Sequence, residues 1–220
     1  MKAIFWDNDG VLVDTEHLYF EATREAVRPL GVELAESDFV ELSLRQGASC
    51  FDLAAARGVS AGRIEAARAE RNHRYGALLA GTELIPGVRE TLARLHGRLP
   101  MAVVTTSRPE HFALQHAATD ARRYFDFVLT GADFTRFKPD PEPYLMAAER
   151  LGLAPADCLV VEDSERGLVS ATRAGMRCAV VPRGLSARGD FSTAWRVLDQ
   201  VTQLPELVAD LLASQPRRDP

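Results

Sequence analysis

The stretch FWDNDGVLVD, Phe5 to Asp14, decides how the rest of the chain is read. It continues an apolar run, Ala3 to Trp6, that shows no polar alternation, as expected of a strand covered on both faces. The run ends in Asp7 and Asp9, with Asn8 between them. Side chains two apart on an extended chain face the same way, so both carboxylates are aimed at one place. A calcium loop counted from Phe5 would put Asp7, Asp9, Gly10 and Glu16 at fitting positions, but its first ligand would be Phe5 and no helix fits before it.

Similar short apolar runs recur at Met101 to Val104, Phe125 to Leu129, Cys158 to Val161 and Cys178 to Val181. Between them lie amphipathic segments: GVRETLARLHGRL, PEPYLMAAERLGL and SERGLVSATRAGM, the last with a Ser cap and a stop at Gly175. Strand and helix in alternation predict an α/β fold with a parallel sheet. From Thr15 to Leu84 no strand is expected; TEHLYFEATREAVRPLG, SCFDLAAARG and AGRIEAARAERNHRYGALLAG all read as helices, with LRQGAS as a loop. The expected organisation is a core of residues 1–14 and 85–220 carrying a helical insertion, 15–84, over the C-terminal edge of the sheet. The tail ASQPRRDP is expected to fray.

Ligands of open α/β sheets bind beyond the carboxyl ends of the strands. Those ends deliver Asp7 and Asp9, then Thr105, Thr106 and Ser107, then Glu162 and Asp163. FKPDPEP adds Lys138, and it stands out: of 26 basic residues only Lys2 and Lys138 are lysine. Crowded carboxylates repel unless a cation joins them, and an all-oxygen set favours Mg2+ over zinc. A carboxylate is a nucleophile without a base, provided the negative charge of a phosphate is relieved by metal and lysine. A second carboxylate nearby can move the proton.

These residues carry a resemblance. The chain resembles the haloacid-dehalogenase-like hydrolase superfamily, in its helical-cap subfamily related to beta-phosphoglucomutase and phosphoglycolate phosphatase. The four family motifs stand in order: DNDGVLVD from Asp7, AVVTTS with Thr105, KPDPEP from Lys138, and EDSERGLVSATRAGM from Glu162. The resemblance implies a Rossmann-like sheet of order 3-2-1-4-5. It implies Asp7 as the nucleophile forming an aspartyl-phosphate, and Asp9 as general acid/base whose backbone carbonyl also binds Mg2+. Asp163 would be a further metal ligand beside Asp7, with Glu162 behind or linked through water. Thr105, Thr106 and Lys138 would hold the phosphate; His17, Tyr19 and Arg45 are the candidates for substrate contacts from the cap. Two departures stand out: Asn8 where the family has an apolar residue, and Phe137 where a glycine is common before the lysine.

Within such a family the complete metal set argues against dehalogenation. No lysine lies between Lys2 and Lys138, which removes the Schiff-base route to phosphonate cleavage. Sugar-phosphate mutases of this type carry a cap-helix histidine and a cap-loop arginine; here those positions hold Tyr19 and Cys50. The expected function is Mg2+-dependent phosphomonoester hydrolysis, with a beta-phosphoglucomutase-like mutase as the alternative and a non-enzymatic binding module as the third reading.

Composition sets the surroundings. A net charge of −5 argues against a nucleic-acid partner, and the apolar stretches are too short for a membrane. Cys50, Cys158 and Cys178 form no CxxC, and two of them open apolar runs, which reads as reduced thiol in a cytoplasmic protein. The expected partner is a small phosphorylated metabolite, and the expected state a monomer or weak homo-oligomer.

Overall fold

The computed structural model describes residues 1–213. The quoted stretch begins in the central strand, β1 (Ala3–Trp6), whose four residues are all fully buried. β1 pairs in parallel with β2 (Met101–Val104) on one side and β4 (Cys158–Glu162) on the other. β3 (Phe127–Leu129), β5 (Arg177–Val180) and β6 (Arg196–Val197) complete the order β3-β2-β1-β4-β5-β6. β6, which adds a strand to the expected order, is two exposed edge residues with no buried run to betray it.

Alternation inside the sheet divides the core in two. Ile4, Trp6, Met101, Val103 and Val161 face one way, toward α5 (Val88–Leu95) and α9 (Leu204–Ala213). Ala3, Phe5, Val104 and Val160 face the other, toward Tyr144 and Ala147 of α7 (Glu142–Arg150) and Leu168 of α8 (Glu165–Arg173). Burying side chains of this size contributes about 1.5–3 kcal/mol each. Between β2 and β3 lie one short α-helix, α6 (Pro109–Gln115), and a 3-10 turn, Ala121–Tyr124. α8 starts where the sequence places it: Ser164 Oγ accepts from Gly167 N at 3.3 Å, and Gly175 turns the chain out at φ 75°.

Between β1 and β2 the chain is helical: α1 (Glu16–Val27), α2 (Glu36–Phe39), α3 (Asp52–Ala55) and α4 (Ala61–Leu78). Phe20, Phe39, Val40, Leu44, Phe51 and Ala54 form a cluster of their own there. Two local readings change. The loop LRQGAS begins inside a π-helical turn, Val40–Arg45, continued by Gln46 N donating to Glu41 O at 3.1 Å. SCFDLAAARG forms a single α-turn, because it is anchored by Phe51 and Ala54 rather than by a long apolar stripe.

All three cysteines are free and buried. Among the described residues no helix is long and apolar enough to cross a membrane. The tail beyond Ala213, most of the segment expected to fray, lies outside the described residues.

Two glycines separate tight packing from open surface. A Cβ on Gly167 would stand 1.9–2.1 Å from the Glu162 carboxylate, whereas one on Gly62 of α4 would meet nothing within 4 Å. Gly167→Ala should lower stability by about 1–3 kcal/mol or more through overpacking. Gly62→Ala should raise it by up to about 1 kcal/mol through helix propensity. Urea denaturation midpoints of the two variants check both signs.

Candidate active site

The sheet register places the site. Trp6 lies beside Val161, so Asp7 leaves β1 next to Glu162, the last residue of β4, and Asp7 N donates to Val161 O at 2.9 Å. Lys138 reaches this pair from the loop before α7, with only 3% of its surface exposed. Its Nζ donates to Asp7 Oδ1 at 2.6 Å, Glu162 Oε1 at 2.7 Å and Val104 O at 2.9 Å. An ammonium has three protons, so this lysine is fully used. Glu162 also accepts from Tyr144 OH at 2.7 Å and, through Oε2, from Ser164 Oγ at 3.1 Å.

Asp163 is different. Its Oδ2 is buried without a hydrogen-bond partner. Gly10 makes room for it: a Cβ there would stand 2.0 Å from that oxygen, and φ at this glycine is +81°. Asp7, Glu162 and Asp163 each offer an oxygen within 4.8 Å of the others. Burial, then Glu162, push the Asp7 pKa up to about 7 against the pull of Lys138. Burial, then Glu16 and Glu162, push Asp163 well up. Burial also acts on Glu162 and Lys138, but the lysine charge outweighs it at Glu162 and lowers the acid, while Asp7 and then Glu162 outweigh it at Lys138 and raise the base. Arg166 is a second cation here, acting on Asp7, Glu162, Glu16 and Asp163, yet these four carboxylates still outnumber it and Lys138. An orphaned oxygen among all-oxygen donors fits a hard divalent cation such as Mg2+, with Asp7 and Asp163 as its protein ligands. Glu162, both oxygens engaged, stands behind them.

Asp9 sits at the centre of a second network. It accepts from Thr15 Oγ1 at 2.5 Å, Gln115 Nε2 at 2.6 Å, Ser107 Oγ at 2.7 Å and Tyr75 OH at 3.2 Å. Burial raises its pKa, but the hydrogen bonds from Thr15, Ser107, Asn8 and Gln115 together hold it below the ordinary range. Asn8 now has an account. It is fully buried, donates to Gln115 Oε1 at 2.8 Å, and accepts from His116 Nε2 at 2.7 Å. The histidine thus fixes the Asn8 amide, and the Asn8 amide fixes the Gln115 amide that faces Asp9.

A cavity of about 390 Å³ opens above Asp9, between the sheet edge and the helices of residues 15–84. Thr106, Ser107, Lys138 and Tyr19 line it. Thr105 lies beneath, buried, accepting from Ser107 N at 3.0 Å and donating to Asp9 Oδ2 at 3.4 Å. Two expected contacts are not brought in. His17 is exposed on the outer side, 3.6 Å from Asp14. Arg45 is paired with Glu165 at 2.7 Å and Glu41 at 2.8 Å, across the seam to α8. Phe137, by contrast, lines the cavity. Residues the sequence reading did not single out are Arg68, Arg71, Tyr75, Gln115 and Arg166, and it considered Glu16 only as a calcium-loop position. Arg68, Arg71 and Tyr75 share one face of α4 at i, i+3 and i+7, a spacing visible in the sequence once the helix is known to face the site. Gln115 carried no such signal.

With this geometry in hand, comparison with known proteins assigns the class. A family model described as haloacid dehalogenase-like hydrolase matches residues 1–175. Protein CbbY of Rhodobacter capsulatus is 32% identical over 225 residues, covering 96% of this chain and 99% of the relative. A phosphorylated carbohydrates phosphatase of Thermotoga maritima is 33% identical over 180 residues, covering 80% and 82%. A crystal structure of a CbbY mutant from Rhodobacter sphaeroides in complex with xylulose-(1,5)bisphosphate superposes with TM-score 0.78 at 27% identity, covering 93% and 96%. The chain is an enzyme of the haloacid dehalogenase-like hydrolase family.

The half-buried His116 gives a pH signature. Burial lowers its pKa to about 4. The unfolded value is about 6.5, so between the two the unfolded chain binds a proton that the folded chain refuses. Its contribution is full above about pH 6.5 and is lost as pH falls toward 4, by up to roughly 3 kcal/mol. His116→Gln keeps a donor for Asn8 and cannot take that proton. Its stability should fall less steeply than wild type over this window in urea titrations; an unchanged slope would remove His116 as the cause.

Proposed function

We propose that this enzyme is a Mg2+-dependent phosphomonoester hydrolase acting on a small phosphorylated metabolite through an aspartyl-phosphate on Asp7. The single observation that carries the reading is Lys138 buried between Asp7 and Glu162 beside the orphaned oxygen of Asp163. Relatives named as phosphatases, one of them for phosphorylated carbohydrates, point the same way and make a sugar phosphate the preferred class.

Lys138 holds Asp7 Oδ1, which leaves Oδ2 to attack phosphorus. The new bond forms to Asp7 and the bond to the leaving alkoxide breaks, the alkoxide taking a proton from Asp9. Asp9 is a well-stabilised carboxylate before substrate arrives; the approaching negative phosphate raises its pKa, so it takes a proton from solvent as substrate binds and carries that proton to the alkoxide. In the second half Asp9 takes a proton from water, which attacks phosphorus and frees Asp7. Thr106 binds the phosphoryl oxygens; Lys138, its three protons engaged beside Asp7, offsets their charge without donating to them. Thr105 braces the turn that presents Ser107. Mg2+ held by Asp7, Asp163 and the Asp9 backbone carbonyl, with Glu162 behind, would neutralise charge on the phosphoryl group.

Residues 15–84 act as a cap over the core of residues 1–14 and 85–220, closing the cavity with Tyr19 and Tyr75. The mutase alternative gains nothing from the cap, since His17 lies outside the cavity and Arg45 faces Glu165. Free buried cysteines support a cytoplasmic setting.

Purified protein with Mg2+ should release inorganic phosphate from a panel of sugar phosphates, and chelator should abolish the release. Asp7→Asn should lower kcat by at least about 10³-fold with the fold intact by circular dichroism. Lys138→Arg should be nearly as damaging as Lys138→Ala, about 10²-fold or more, because a guanidinium fork does not fit where Nζ meets three acceptors. Full turnover by Asp7→Asn, or without metal, would overturn the mechanism.

A further inference from the structure

The far wall of the cavity is cationic. Arg68 and Arg71, on the cavity face of α4, line the same space as Asp9 and Lys138. Both are half-buried, and among the described residues neither has a carboxylate within 4.0 Å. Three other arginines of the insertion are neutralised: Arg74 by Glu70 at 2.7 Å, Arg28 by Glu25 at 2.9 Å, and Arg45 by Glu41 and Glu165. Arg24, Arg57 and Arg63 also lack a carboxylate, but they are exposed to water; of the insertion's half-buried arginines, Arg45, Arg68 and Arg71, only the last two are without one among the described residues.

The two side chains are nevertheless held in place. The Arg71 guanidinium lies 4.6 Å from the Tyr19 ring centre and 5.6 Å from that of Phe51. It donates to Tyr19 OH, and through Nε to Asn72 Oδ1 at 2.9 Å. The Arg68 guanidinium lies 5.0 Å from the Phe51 ring centre. Stacking on aromatic faces fixes a guanidinium without neutralising it and leaves its charge available to a ligand. Two like charges side by side in a partly desolvated wall repel each other, and an anion between them removes that cost.

We propose that Arg68 and Arg71 form a second anion subsite, and that the preferred substrate is a phosphomonoester carrying a second acidic group, a phosphate or a carboxylate, at its far end. This rests on the phosphatase reading for which phosphate is cleaved, but the subsite itself is a matter of binding. With one phosphoryl group at Asp7, the other end of a short polyol extends toward α4. Its acidic terminus meets both guanidiniums, and the polar atoms between meet Tyr19 and Ser43 on the cavity wall.

The test uses matched pairs on the full chain: fructose 1,6-bisphosphate against fructose 1-phosphate, and 6-phosphogluconate against glucitol 6-phosphate. Each ratio of kcat/KM, doubly to singly acidic, is measured in wild type and in Arg68→Gln/Arg71→Gln. At least one ratio should exceed about tenfold in wild type and fall by about tenfold in the double variant. The pair that responds tells phosphate from carboxylate. The single variants, each expected to lower the ratio by at least about threefold, serve if the double variant fails to fold. Calorimetric binding of the same ligands to Asp7→Asn, with and without the arginine changes, reads the subsite without turnover. Binding that prefers the doubly acidic ligand and depends on the arginines, in a protein that hydrolyses nothing, would overturn the phosphatase reading alone. Ratios near one in wild type in both pairs, or ratios the arginine changes leave unmoved, would overturn the subsite.

Discussion

The ammonium of Lys138 is the point on which the site depends. It is buried, and it joins the ends of three neighbouring strands: Asp7 after β1, the Val104 carbonyl of β2 and Glu162 of β4. Removing one partner from a buried charged group leaves the others uncompensated, at a cost of several kcal/mol. The sheet therefore cannot slip without breaking this contact, and the contact cannot form unless the strands are in register. Lys138 and Arg166 together still leave the carboxylates in the majority, and the orphaned Asp163 oxygen marks where the deficit is felt.

Asp9, two residues along, is held by different means. Its donors are neutral hydroxyls and amides drawn from the segment after β1, from α4 and from α6. Neutral donors stabilise the carboxylate without fixing a counter-charge beside it, so its proton affinity stays responsive to an arriving phosphate. Tyr75 belongs to the insertion and Gln115 to the core, and they also touch each other at 3.0 Å. The acid/base candidate is thus the place where the two halves of the molecule meet. Arg45 and Glu165 tie the same halves at the seam, in place of the substrate contact expected of Arg45.

How much of this was legible depended on the range of the interaction. Lys138 was conspicuous because the chain otherwise uses arginine, and Glu162-Asp163 because a strand led straight into them. Asn8 was visible but unexplained, since its partners Gln115 and His116 lie more than 100 residues away on an ordinary-looking helix. β6 and the π-helical turn were missed because neither is built on an apolar pattern: one is an exposed edge pair, the other a local change in hydrogen-bond step.

The sequence by itself determined the parallel sheet, the helical insertion and the carboxylate-lysine set, because those rest on local patterns of burial and on residue types at strand ends. The tertiary structure alone decided which side chains of the insertion face the site. It turned His17 outward and paired Arg45 with Glu165, while α4 brought Arg68, Arg71 and Tyr75 over Asp9. The reason is physical: a helix face is periodic in the sequence, but which face meets the cavity is set by how α1 and α4 pack on each other and on the core, a rotation no local pattern encodes.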